Sequence, residues 1–153
     1  MSSRLIPLSL LVVPLLLGAD STSIVAGDFS LVPLADSDIE FGCGCAAYCP
    51  VEKKYDGFMI ARWGDEDRIQ LRLNGKFLEL PQVGSGWGFS DRLGEPYKQS
   101  FRSDSHQLDL NLVTTHVCPE GAEDCEVTWF EGTLTVTSEA RHGRLKVWAS
   151  CGC

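Results

Sequence analysis

The stretch Arg68-Ile69-Gln70-Leu71-Arg72-Leu73-Asn74-Gly75-Lys76-Phe77-Leu78-Glu79-Leu80 decides how this chain folds. Ile69, Leu71 and Leu73 alternate with polar residues, the period of a strand with one buried face. Asn74-Gly75 tolerates positive φ at both central positions of a type I′ turn. A two-residue loop sets Leu73 against Lys76, Leu71 against Leu78 and Ile69 against Leu80. The apolar residues of both arms then share one face. That is an independent check on register, because a slip of one residue would turn every side chain over.

Working upstream, Gly64-Asp65-Glu66-Asp67 reads as a turn and Gly57 to Trp63 (GFMIARW) as a strand. Before them, Ile39, Phe41, Cys43 and Cys45 alternate with Glu40, Gly42 and Gly44. This predicts a first strand over 39–45 with both cysteines facing the core. Residues 28–38 hold Pro, Asp and Ser with no clean period and read as a tether.

Downstream, Pro81 to Pro96 is glycine-rich and carries Trp87 and Phe89. Long loops in compact domains tend to be functional or mobile. Tyr97 to Phe101 is a short strand. His106 to Val117 alternates through Leu108, Leu110 and Leu112, and Glu126 to Thr137 is rich in strand-forming Thr, Val, Trp and Phe. Between them, Cys118 and Cys125 bracket an acidic tip, PEGAED. Extending the Cys118–Cys125 register opposes Asp109 to Leu134, a poor pair. One extra residue near Glu131-Gly132, a β-bulge, restores Leu110 against Leu134 and Leu108 against Val136. Arg141-His142-Gly143 turns the chain into a last strand, Arg144 to Cys153, with Leu145, Val147, Ala149, Cys151 and Cys153 on one face. No stretch holds helical periodicity over three turns. The expected fold is all-β: an antiparallel barrel or closed sandwich of about eight short strands in a single domain over 39–153.

The chain of 153 residues is long enough for one domain, and its net charge of −8 excludes the basic face that nucleic-acid binding requires. An anionic membrane surface is disfavoured for the same reason, while a basic protein partner would be attracted. Arg4 followed by the apolar run Leu5 to Gly18 reads as an export signal over 1–27, too short for the ~20 residues of a membrane-spanning helix. Val25-Ala26-Gly27 is the expected cleavage site, with no stable membrane insertion afterwards and an extracytoplasmic location, periplasmic or secreted.

Seven cysteines in an exported chain point to disulfides. Cys118 and Cys125 flank a hairpin tip and suit a bridge. Cys43-Gly44-Cys45 and Cys151-Gly152-Cys153 lie on strands expected to be neighbours. An antiparallel arrangement would pair Cys43 with Cys153 and Cys45 with Cys151. Facing pairs two residues apart alternate between two Cα spacings about 1 Å different, so two unstrained bridges in adjacent rungs are hard to build. The second bridge could instead involve Cys49, and Cys49 is the candidate for the residue left over. The alternative chemistry is a tetrahedral zinc or copper(I) site from Cys43, Cys45, Cys151 and Cys153. Structural zinc sites favour a Cys-x₂₋₄-Cys spacing, and an oxidising compartment favours bridges.

No nucleophile elbow, zinc-protease motif or phosphate loop is present, and His106, His116 and His142 lie near turns or on strands. The chain reads as non-catalytic, with no cofactor. Trp87 and Phe89, aromatics in a glycine-rich loop, are natural binding anchors.

Residues 68–103 resemble the periplasmic and membrane-bound inhibitors of c-type lysozyme. The shared pattern is Leu71 to Leu80 as L-x-L-N-G-K-x-x-x-L, then the loop Ser85-Gly86-Trp87-Gly88-Phe89, then the Tyr97-led strand to Ser103. The resemblance implies a partner surface of Ser85, Trp87, Phe89, Tyr97 and Arg102, with Ser85 entering the lysozyme cleft and Arg102 at the position of an assisting lysine. Phe89 stands where that family has tyrosine, Phe101 where it has a hydroxyl residue and Ser103 where it has glycine. The acidic Cys118–Cys125 hairpin and the terminal Cys-Gly-Cys are outside the resemblance. The function expected is extracytoplasmic recognition of a protein partner through the 82–96 loop. The competing readings are a thiolate metal binder and a structural envelope protein without a ligand.

Overall fold

The computed structural model describes residues 23–39, 42–49, 57–64, 67–84, 92–122 and 125–152. They form ten strands: β1 (Ile24–Ala26), β2 (Phe29–Val32), β3 (Gly44–Cys49), β4 (Phe58–Gly64), β5 (Arg68–Leu73), β6 (Lys76–Pro81), β7 (Pro96–Arg102), β8 (Gln107–His116), β9 (Val127–Ser138) and β10 (Arg141–Gly152). All pairings are antiparallel.

Strands β3 to β10 form an up-and-down barrel in which each strand neighbours the next in sequence. The last strand, β10, returns to pair with β3. The weakest rung of this closure lies between β6 and β7. There Gln82 bridges Phe101, and the Val83 amide donates to the Ser100 carbonyl at 2.8 Å. Eight strands enclose an interior just wide enough for side chains to fill. Ile69, Leu71, Leu80, Phe101, Leu108, Leu110, Leu112, Phe130, Leu134 and Val147 fill it.

The deciding hairpin is β5–β6. Its register is Leu73 to Lys76, Leu71 to Leu78 and Ile69 to Leu80, with φ of 50° at Asn74 and 77° at Gly75, as the turn requires. The clasp between first and last barrel strands is also present: Trp148 faces Tyr48, and Cys151 faces Cys45 with a bridge between them at a Cα separation of 4.0 Å.

The structure corrects the sequence reading of the strands at several points, and Arg141-His142-Gly143, expected as a turn, already belongs to β10. The first barrel strand runs over 44–49, because pairing with β10 begins at Gly44 opposite Gly152. Its inward residues are Cys45, Ala47 and Cys49, whereas Cys43 lies in a bend and is exposed. The register of β8 on β9 is the expected one, Leu110 to Leu134 and Leu108 to Val136, but the extra residue is Thr115 on β8, between the pairs Thr114–Phe130 and His116–Trp129. Gly132 has a different task. A Cβ there would collide with the Asn111 carbonyl oxygen and lie 2.8 Å from the Leu112 Cα, so glycine lets β8 and β9 approach.

A further correction concerns residues 28–38, which are not a tether. β1 and β2 form a hairpin, and β2 pairs with β5 at Leu31–Leu73 and Val32–Arg72. β4 contacts β5 in register only from Ala61 to Trp63, so β2 takes the vacant edge of β5 beyond it. Phe29 and Leu31 are buried in the core. Asn74 both makes the turn and grips β2, its amide donating to the Ser30 carbonyl at 2.7 Å and its Oδ1 accepting from the Ser30 amide at 2.9 Å. A 3₁₀ turn follows at Asp36–Asp38. Asp38 accepts two hydrogen bonds of 2.7 Å from the Arg72 guanidinium and one of 2.9 Å from the Ala35 amide. The expected cleavage point after Gly27 falls at the tip of this hairpin. The apolar run of the expected export signal lies outside the described residues. No helix among the described residues is long and apolar enough to cross a membrane.

Candidate functional site at the barrel seam

In an antiparallel meander the strand ends alternate between the two mouths of the barrel. The 82–96 segment starts where Gln82 meets Phe101, near the C-terminal end of β7. It returns at the N-terminal end of β7, where the Gly94 amide donates to the Thr114 carbonyl and the Thr114 amide to the Glu95 carbonyl. Its two feet are therefore separated by the length of β7. Ser85, Trp87 and Phe89 themselves lie outside the described residues. Both feet present apolar side chains to solvent: Val83 is 48% exposed at one, Leu93 63% and Val113, which faces Pro96, 44% at the other.

Strand β7 places its side chains by parity. Tyr97, Gln99 and Phe101 point inward, and Lys98 and Arg102 are exposed. Arg102 lines a surface depression of about 560 Å³ with Pro81, Gln82, Val83, Ser103 and Asp104, so the cation stands at the first foot of the loop. A chain of hydrogen bonds holds it there. Arg102 Nη2 donates to Gln107 Oε1 at 2.8 Å, Gln107 Nε2 donates to Asp109 Oδ2 at 2.9 Å, and Ser100 Oγ donates to Asp109 Oδ1 at 2.6 Å.

Tyr97 is not a surface residue. It is 3% exposed, and its hydroxyl accepts from Trp63 Nε1 at 3.0 Å inside the barrel. Burial pushes its pKa up, and the Trp63 hydrogen bond works in the opposite direction. It supports β7 from within, as the strand's period-2 parity dictates.

The thiolate metal alternative is also corrected. Cys45 and Cys151 are bonded to each other, and Cys43 is likewise disulfide-bonded. Cys153, its expected partner, lies outside the described residues. Cys118 and Cys125 form the tip bridge, and Cys49 keeps a buried thiol. Among the described residues no cluster of three or more His, Cys, Asp or Glu could hold a metal ion.

Sequence reasoning missed one contact. His116 Nε2 lies 3.7 Å from Cys125 Sγ. The Thr115 bulge creates it by setting His116 opposite Trp129, and bulge position is not legible in a run of Thr-Thr-His. Comparison with family models, with curated proteins and with solved structures gives no match.

Proposed function

We propose that this protein is a non-catalytic, extracytoplasmic recognition protein. Its contact surface is the 82–96 loop together with Arg102, and its partner is a basic hydrolase of the c-type lysozyme kind. The observation that carries the reading is the shared depression at the seam, where Arg102 stands beside Gln82 and Val83 at the foot of the loop. The resemblance over residues 68–103 assigns the same neighbourhood to the partner. The net charge of −8 favours encounter with a basic protein and disfavours nucleic acid. The disulfides suit an oxidising compartment reached through the export signal, and no membrane insertion persists after its removal. A braced barrel presents the loop without needing to order itself on binding, which lowers the cost of association.

The test is inhibition of a c-type lysozyme by the oxidised protein. Ser85→Ala, Trp87→Ala and Arg102→Ala should each weaken it, with Arg102→Ala costing about 2 kcal/mol, roughly thirtyfold in Kd, if the cation is a central contact. Absence of inhibition at micromolar protein overturns the choice of partner. Retained inhibition in all three variants overturns the choice of surface.

A further inference from the structure

The two described disulfides differ in surroundings. Cys45 and Cys151 are each 2% exposed within the barrel, whereas Cys118 and Cys125 are half-buried at the β8–β9 hairpin tip. The tip bridge is also asymmetric. Cys118 Sγ faces the Val127 carbonyl oxygen at 3.7 Å, a partner that disfavours negative charge on sulfur. Cys125 Sγ faces His116 Nε2 at 3.7 Å, a partner that can stabilise a thiolate or hand it a proton. The His116 ring is set edge-on to Trp129, with 6.4 Å between centroids and 83° between planes. A bulge that re-aims a side chain beside reactive groups is a recurrent device, and here the bulge at Thr115 does so.

We propose that Cys118–Cys125 is a thiol-exchange site, independent of the recognition surface, at which a small external thiol attacks Cys118 and Cys125 leaves toward His116. In the first step the thiolate sulfur of the external thiol bonds to Cys118 Sγ. The Cys118–Cys125 bond breaks, and its electron pair goes to Cys125, which takes a proton from His116 Nε2. In the second step another equivalent of the external thiol, as its thiolate, attacks the sulfur supplied by the first and displaces Cys118 as a thiolate, giving one oxidised thiol dimer. The two protons shed by the external thiols on ionising return through solvent, one to Cys118 and one to His116. Two electrons pass from two thiols to one protein disulfide. The tip between the cysteines reads PEGAED, with Glu126 following, so the local field is negative. The site therefore favours cationic or neutral thiols over anionic ones.

The experiment treats the folded, oxidised protein with cysteamine or with reduced glutathione at matched thiolate concentration and low salt. Samples are quenched by alkylation and mapped by mass spectrometry. The expected result is a mixed disulfide on Cys118, then labelling of Cys118 and Cys125 while Cys45 and Cys151 stay unlabelled. Cysteamine should react several times faster than glutathione. His116→Gln should slow release of Cys125 about tenfold while leaving the urea midpoint of the oxidised protein unchanged, and His116→Asn serves if that variant fails to fold. The proposal fails if both bridges reduce together with global unfolding. It fails also if the mixed disulfide forms on Cys125, if glutathione matches cysteamine, or if loss of the imidazole leaves the rate unaltered.

Discussion

Replacing Leu31 by alanine tests whether the N-terminal hairpin belongs to the fold. Leu31 is 0% exposed and faces Leu73 across the β2–β5 ladder. Leucine to alanine removes three carbons from a fully buried site. At about 0.8 kcal/mol for each buried methylene the transfer term is about 2.4 kcal/mol. The residual cavity adds to this, and the expected loss is about 3 kcal/mol, within the range of such substitutions. Val25 is the internal control. It lies on the same hairpin but is 72% exposed, so Val25→Ser should stay within about 0.5 kcal/mol of the parent. Urea unfolding of the oxidised protein, followed by tryptophan fluorescence and extrapolated linearly, measures both. A loss below about 1 kcal/mol for Leu31→Ala at unchanged slope would refute the reasoning, for it would mean that residues 24–32 detach without cost and behave as a tether.

Three further outcomes are expected. Gly132→Ala should destabilise by at least 1–3 kcal/mol, because the new methyl meets the Asn111 carbonyl and the Leu112 Cα, backbone atoms that cannot rotate away; thermal unfolding measures it. The Asp38 carboxyl is held below the ordinary range, chiefly by its hydrogen bonds from Arg72. A depressed carboxylate contributes stability that is fully present above its unfolded pKa of about 4 and is lost as pH falls through the folded value. The stability difference between the parent and Asp38→Asn should therefore be constant from neutral pH to about pH 5 and shrink below pH 4, as read from urea midpoints. Under the proposed export, N-terminal sequencing of the mature protein should find a start at Thr22 or Ile24, after Ala19-Asp20-Ser21 or Ser21-Thr22-Ser23, since cleavage after Gly27 would discard β1 and the buried Ala26; a start at Asp28 would exclude β1 from the mature fold.

The barrel was legible where alternation and turn chemistry spoke together. Asn74-Gly75 fixes φ, and Leu71 with Leu78 confirms the register from a second direction. The pairing of β10 with β3 was legible for another reason: inward cysteines at matching positions need each other. Residues 24–32 were not legible. Ile24, Ala26, Phe29 and Leu31 do not keep one parity, because Gly27-Asp28 is a two-residue turn that shifts the alternation by one between the arms. Once the turn is placed, Ala26 opposes Phe29 and Ile24 opposes Leu31, and the pattern is clear. The error at Tyr97 came from the resemblance, which passes over strand parity; Tyr97 shares its side with Gln99 and Phe101 and is committed to the interior.

The filled interior constrains what this barrel can do. Phe101, Phe130, Leu110 and Leu134 are each no more than 1% exposed, and the buried Cys45–Cys151 bridge joins the neighbouring strands β3 and β10 beside them. Among the described residues, inward side chains from the barrel strands pack into one continuous core, as an eight-stranded barrel allows. The recognition surface proposed above lies outside this core, at the seam. Among the described residues the seam carries the Gln82–Phe101 bridge, the Val83–Ser100 hydrogen bond and a cation held in place by three hydrogen bonds in series. The β9–β10 pair is continuous over twelve residues, from Arg141–Ser138 to Gly152–Val127. The difference in ladder length predicts that hydrogen exchange is slower in β9–β10 than at Val83. A partner at the proposed surface would meet Gln82 backed by the buried Phe101.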